Sequence, residues 1–379
     1  MGRLQRSVLH GLAMGFVAKS VIAGPYSISQ TNIGSDFFSN FQWEDFDDPT
    51  NGRVQYVDKD TAMSENLTYA TSDSFVMRAD STSILSADGP GRKSNRIKSN
   101  AQYNTHVSVF DIRHMPQGCA AWPAVWEADD SVGTASGEID ILEGANDIAP
   151  NSVTLHTEGN CTMPSNRTQL GTSLSNDCTS TADIGNGNNG CSVDAPYTSS
   201  YGPVFNTNGG GYYAMERTAE YIRVWFWARN QDGIPSDITG GASSVDTDDW
   251  GTPIAYFPDT SCDIGKVFSE NNIIIDLTFC GNWAGDAFSR ADCGANCTQY
   301  VDENPSAFED AYWDFAAVRV YEPSGSTSAS VTTETEVLAN VRSSSSSSAS
   351  CAPLGYLERI FTSPVLIVFA VLGGAWGLA

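Results

Sequence analysis

The chain is predicted to fold as an all-β sandwich of two antiparallel sheets, on three observations. Short runs of alternating or continuous apolar residues recur along residues 24–323, many of them β-branched or aromatic. Gly, Asn, Asp and Pro separate those runs, and no strong helical period competes with them. The composition is 41% hydrophobic but only 17% charged, which excludes a disordered chain and suits a loop-rich β protein.

Taken in order, residues 53–57, 107–113 and 153–157 alternate polar with apolar, as half-buried strands do. Residues 74–78, 221–228, 273–279 and 315–322 are more continuously apolar, and residues 138–142 alternate acids with isoleucines. Two polar insertions interrupt this series. Residues 158–211 are rich in Asn, Gly, Ser and Thr and carry Cys161, Cys178 and Cys191; residues 229–262 form the second. Loops of that length are usually functional or tied down, and cysteines can do the tying. No composition break divides 24–323, so one domain is expected there.

Both ends read as processing signals. Residues 1–23 have a basic start (Arg3, Arg6), an apolar stretch over 8–18, and Ala23 before a cut, with Ala18 as the alternative. Residues 324–350 are a Ser/Thr-rich stalk with serines throughout 343–348. Small residues Ser348, Ala349 and Ser350 follow, then a spacer to Arg359 and an uncharged apolar tail over 360–379. That order is expected of a GPI signal with Ser348 as the ω residue and 351–379 removed. The rival is a transmembrane helix, which lacks a basic cytoplasmic flank here. Outside the tail lie Cys119, Cys161, Cys178, Cys191, Cys262, Cys280, Cys293 and Cys297. An even number in a secreted chain reads as disulfides, although about a hundred pairings are open. Sequons at Asn66, Asn160, Asn166 and Asn296 fit the same route.

The formal charge of −25 argues against a nucleic-acid partner and against docking on anionic lipid. Four histidines, at positions 10, 106, 114 and 156, argue against a multi-His metal centre, and neither metal nor cofactor is expected. No nucleophile elbow, phosphate loop, HExxH or dinucleotide fingerprint is present.

The sharpest feature is Gly137-Glu138-Ile139-Asp140-Ile141-Leu142-Glu143-Gly144. In a regular strand Glu138 and Asp140 share one face and Ile139 and Ile141 the other. Glu143 falls on the wrong face unless a β-bulge at Ile141-Leu142 adds one residue. With that bulge all three acids line one face and the apolar residues stay buried. Two carboxylates facing a cleft are the equipment for glycoside hydrolysis: one attacks the anomeric carbon, the other protonates the leaving oxygen and then activates water. Roughly 13 Å separates the two glutamate Cα atoms along the strand, and inward-leaning side chains on a concave sheet must close much of it. Asp140 between them can hold a glutamate in place, and three crowded acids split their pKa values. The bland alternative is a solvated acidic face; the alternation with Ile and Leu, the flanking glycines and the preceding tryptophans weigh against it.

Trp122 and Trp126 lie just upstream, and indole is a natural platform for sugar rings. Trp225 and Trp227 share a face and fit either core or cleft. Trp283 sits in a glycine-flanked loop after a strand, a context that favours exposure. His156, on what reads as the neighbouring strand, suits either contact with an acid or sugar hydroxyl or a structural role.

GEIDILEG resembles the catalytic strand of glycoside hydrolase family 16, in the laminarinase type that carries the extra bulge residue. Asp36 to Phe41, Asp48 to Gly52, Trp122-Pro123-Ala124, Thr154 to Thr157 and Trp313 to Tyr321 are similar to fungal members, so the likeness runs over most of 24–323. The resemblance implies a β-jelly-roll (concanavalin-like) with a concave glucan-binding cleft. It implies Glu138 as nucleophile, Glu143 as general acid/base and Asp140 as supporting acid, with sugar contacts from Trp122, Trp126, His156, Trp283 and Arg96. The sequence departs from shorter relatives in the cysteine-bearing insertion, the stalk and the tail.

The expected function is retaining endo-hydrolysis of β-1,3 or mixed β-1,3/1,4 glucan by a secreted, GPI-anchored monomer at the cell surface, with β-glucan as its partner and the anchor as its membrane contact. The alternatives are a wall-glucan transglycosylase using the same residues and a non-catalytic glucan-binding surface protein.

Overall fold

Strand alternation resolves into two antiparallel sheets packed face to face. The computed structural model describes residues 25–129, 131–180 and 190–325. The signal segment, the stalk beyond 325, Ser348 and the apolar tail lie outside the described residues. The sheet that carries the acids is eight-stranded, in the order Thr172–Ser173, Cys191–Asp194, Ser152–His156, Glu138–Glu143, Ala121–Ala128, Asn271–Phe279, Arg96–Tyr103 and Phe41–Trp43. The second sheet is nine-stranded and is built around Tyr312–Pro323, His106–His114, Gly211–Arg217 and Tyr221–Ala228.

The core lies between them. Val125, Ile139, Ile141, Leu142, Val153, Leu155 and Ile275 point from the acid-bearing sheet toward Phe110, Ile112, Tyr213, Met215 and Val318 of the other, all of them buried. Each central strand of the acid-bearing sheet therefore offers one apolar face to the core and one face to a cleft, as the period of two requires. The outer face of the second sheet holds a smaller apolar cluster, capped by Ser236–Gly240 and Thr247–Trp250. Trp225 and Trp227 belong to that cluster, edge-on to Trp250, so they are core and not cleft.

The strand runs expected from the sequence all fall on strands, Tyr221–Ala228 with the expected ends and the others with shifted ones. Residues 53–57 contribute only Val54–Tyr56, which pairs with Arg92–Ser94 outside both sheets. Eleven further strands among the described residues were not among the expected runs, and three of the longer ones show why. Ala121–Ala128 contains Pro123, which reads as a breaker; it sits just beyond the last pair with the acid strand, Glu143 with Ala124. Arg96–Tyr103 is almost wholly polar, and Gly211–Arg217 begins on glycine.

All eight cysteines pair: Cys119 with Cys293, Cys161 with Cys262, Cys178 with Cys191, and Cys280 with Cys297. The Cys161–Cys262 bond joins the two polar insertions to each other. The asparagines of the four sequons are exposed. Asn296 also caps a helix through its Oδ1, which accepts from Gln299 N at 3.0 Å, leaving its Nδ2 available for a glycan. The first and last described strands are neighbours, with Tyr26 opposite Pro323 and Ser324 N donating to Pro25 O at 3.3 Å.

Ile141 is the bulged residue and is fully buried between the sheets. Ile141→Ala should lower unfolding free energy by about 3 kcal/mol, through lost burial plus a cavity. Denaturant unfolding checks this; a loss below ~1 kcal/mol would show that the bulge is not packed as described.

Candidate active site

The site begins with the bulge. Against Ala121–Ala128, Asp140 pairs with Trp126 while Leu142 pairs with Val125, so Ile141 has no partner across the ladder. On the other side the pairing with Ser152–His156 stops at Asp140 opposite Thr154. The backbone groups this leaves over are taken by one buried side chain. Asn151 Oδ1 accepts from Glu143 N at 2.8 Å, and Asn151 Nδ2 donates to Ile141 O at 2.9 Å. Asn151 is itself fixed by its own N–H donating to Ser200 Oγ at 2.9 Å. With the bulge held, Glu138, Asp140 and Glu143 all line one cavity of about 610 Å³, while Ile139, Ile141 and Leu142 face the core.

The glycines at either end of the strand are required by space. A Cβ on Gly137, whose φ is +70°, would lie 2.4 Å from the Phe268 ring, and one on Gly144 would lie 2.5 Å from the Tyr201 ring.

Aromatic side chains stand on the same face. Trp122 Nε1 donates to Glu143 Oε1 at 2.7 Å. Trp126 Nε1 donates to Asp276 Oδ2 at 3.1 Å. Trp283 is 37% exposed and meets Trp122 edge-on at 5.5 Å. The Cys119–Cys293 and Cys280–Cys297 bonds fasten the segments from which these two tryptophans project. Arg96 is in the cavity wall but only 4% exposed. Its Nε donates to Glu44 Oε2 at 2.8 Å, an Nη donates to Asp276 Oδ2 at 3.2 Å, and the guanidinium lies between the rings of Phe46 and Trp126. Arg96 thus orients Trp126 and neutralises two acids rather than standing open to a ligand. His156 is opposite Glu138 in register, with Nε2 3.2 Å from Asp140 Oδ2 and Nδ1 2.8 Å from Ser180 Oγ. The Nε2–Oδ2 approach is close but poorly aligned, so Oδ2 has no hydrogen-bond partner among the described residues.

Sequence reasoning missed Asp276, Glu44, Asn151 and Ser180. Asp276 had a readable signal: it is the one charge in Ile273-Ile274-Ile275-Asp276-Leu277. The others are polar residues in loops, and nothing in their neighbourhoods marks them.

Burial dominates the electrostatics. Glu138 is pushed up to about 7 by desolvation and then by the Asp140 charge, with His156 and Arg96 opposing. Asp140 is pushed up to about 8 by burial and by Asp276. Glu143 is raised well above the usual carboxylate range by burial and by Asp140, against the Trp122 hydrogen bond. Asp276 rises to about 6, burial outweighing the Arg96 charge beside it. Burial thus favours the protonated form of all three acids of the strand, Glu143 included.

These shifts bear on stability. The folded chain holds protons here that the unfolded chain releases from about pH 4 upward. The cluster's contribution is thus fully present below the unfolded carboxylate range and is lost as pH rises to about 7 and 8. Thermal stability should fall from pH 5 to pH 8, and a Glu138→Gln/Asp140→Asn variant should show a shallower fall. Calorimetry across that range decides it: an equally steep dependence in the variant would assign the slope to the chain's overall acidity instead.

The family model described as the XgeA-like, catalytic GH16 domain matches residues 41–321. The chain is 39% identical over 329 residues to a probable endo-1,3(4)-β-glucanase of Aspergillus clavatus, covering 82% of this chain and 49% of that protein. It thus spans about half the length of that curated relative. Among solved structures it is similar to laminarinase 16A from Phanerochaete chrysosporium, seen with β-glucans in both donor and acceptor sites. That match has 54% identity and a TM-score of 0.77, and covers 79% of this chain and 100% of that one. It is also similar to an elongating GH family 16 β-1,3-glucosyltransferase, at 38% identity and a TM-score of 0.72, covering 78% and 99%. With a bulged three-acid strand in a cleft of a two-sheet sandwich, and a family match over most of its length, the chain belongs to glycoside hydrolase family 16.

Proposed function

We propose that the protein is a retaining endo-β-glucanase acting on β-1,3 or mixed β-1,3/1,4 glucan. The observation that carries this is the bulged strand, which turns Glu138, Asp140 and Glu143 onto one cleft face beside Trp122 and Trp126. The substrate class rests on the named activities of the Aspergillus and Phanerochaete relatives.

The residues suit two successive displacements. The Glu138 carboxylate attacks the anomeric carbon as the bond to the leaving oxygen breaks, and Glu143 transfers its proton to that oxygen. Burial keeps Glu143 protonated for this step, and the Trp122 N–H on Oε1 orients it. In the second step the Glu143 carboxylate takes a proton from water, whose oxygen attacks the anomeric carbon and releases Glu138. Two inversions at one carbon give net retention. Asp140, nearly fully buried between them, has a carboxylate oxygen within 4.8 Å of one of Glu138's and holds the nucleophile's carboxyl in place. The acids also present negative potential where positive charge develops on the sugar ring.

A second reading, transfer of the glycosyl unit to another sugar, is favoured by the likeness to the elongating glucosyltransferase. It uses the same first step and replaces water with a sugar hydroxyl. The four disulfides fit an extracellular protein. Secretion through residues 1–23, glycosylation at the four sequons, anchoring at Ser348 and action as a monomer complete the proposal.

Glu138→Gln should lower reducing-end release from laminarin and lichenan by at least about a thousandfold without loss of fold. Wild-type turnover in that variant would remove Glu138 from the nucleophile role. Sizing the wild-type products separates the two readings: shorter chains mark hydrolysis and longer ones transfer.

A further inference from the structure

The insertion over 158–211 reaches His156 through Ser180, and the geometry points to Ser180 as a positioning residue that aims His156 at Asp140. This inference rests on the catalytic roles proposed above for the acid strand. His156 stands beside the acid cluster with one ring nitrogen toward Asp140 and the other toward Ser180. The ring thus stands between the acid strand, which it approaches at 3.2 Å, and the insertion, to which it is hydrogen-bonded.

The insertion is fastened around this histidine. Cys191 pairs in register with Leu155, the residue before His156. Thr157, the residue after it, donates its N–H to Cys178 O at 2.9 Å, and Ser180 N donates back to Thr157 O at 2.8 Å. Cys178 and Cys191 are disulfide-bonded to each other, so a single covalent clamp brackets the histidine on both sides. Gly190, at φ +76°, completes the seat: a Cβ there would lie 2.9 Å from His156 Cε1 and 2.5 Å from Leu155 O. The loop comes this close to the ring because position 190 has no side chain.

A hydroxyl is the fitting group for this place. The ring nitrogens of a neutral imidazole are one donor and one acceptor, and serine oxygen can be either toward Nδ1. Serine donates to Nδ1 in the tautomer whose Nε2–H faces Asp140 and accepts from Nδ1–H in the tautomer whose Nε2 accepts, so Nδ1 stays satisfied in either. That matters because the Asp140 carboxyl must adapt when Glu138 passes from charged nucleophile to neutral ester. The poorly aligned Nε2–Oδ2 approach is the kind that tightens on substrate binding. A ring nitrogen of His156 lies within 4.8 Å of a carboxylate oxygen of Glu138 as well as of Asp140, so the ring's aim reaches the nucleophile.

The test uses the disulfide-intact protein and laminarin. Ser180→Ala should lower kcat about tenfold with KM within about twofold, as a misaimed group does. It should also move the ¹⁵N shifts of the His156 ring at the neutral end of a titration. Ser180→Thr, which keeps the hydroxyl, should restore both. In a His156→Gln background Ser180→Ala should add no further loss, since the two act in series. Unchanged ring shifts in Ser180→Ala, or an equal loss of kcat in the His156→Gln background, would overturn the assignment. The ring shifts need no turnover, so a wrong hydrolytic reading, exposed by an active Glu138→Gln, is distinguished from a wrong role for Ser180.

Discussion

The site depends on the two hydrogen bonds that Asn151 makes across the bulge. A strand with an extra residue leaves a donor and an acceptor without ladder partners, and burying them unpaired costs about 1–3 kcal/mol each. Asn151 takes both, from Glu143 N and to Ile141 O. The bulge is then a defined conformation, and Glu143 is returned to the cleft face. The conflict between alternation and chemistry is thereby settled locally: side chains switch faces once, over one residue, while Ile139, Ile141 and Leu142 all remain in the core.

Around that strand the sandwich assigns one job to each face. The inner face is apolar, and it keeps the strand from sliding, since a shift by one residue would exchange acids for isoleucines. The outer face gathers acids at a density that water would not favour in a folded protein. Its cost is moderated by Arg96, by the indole N–H groups of Trp122 and Trp126, and by protons held on the carboxyls themselves. The tryptophans so do two things at once, lining the cleft with apolar surface and donating the N–H groups that hold an acid in place.

Most of the candidate site was legible because its signal is local. Glu138, Asp140 and Glu143 lie within one strand, and a single rule, the period of two plus a bulge, relates them. The disulfide pairing and the supporting residues were not legible, because each depends on elements brought together from far apart. Asn151 acts on residues eight and ten positions away across a turn. Asp276 reaches Arg96 and Trp126 over separations of 180 and 150 residues. Alternation alone does not assign Trp225 and Trp227 to core or cleft, since both faces of their sheet are covered; the 236–250 segment that covers the outer one reads only as polar loop. Arg96–Tyr103 escaped notice for a related reason: much of its length faces the cleft or solvent.

The two ends of the described sandwich meet at Pro25 and Ser324, joined by a backbone hydrogen bond. The path of the chain is therefore nearly a closed loop, and its order along the polypeptide is largely independent of the packing. A short linker between those ends would allow the chain to be reopened at a surface turn, giving a circular permutant in which the acid strand and its neighbours keep their places. The cleft is a property of which strands lie side by side, and the starting point of translation is a separate choice that this architecture leaves open.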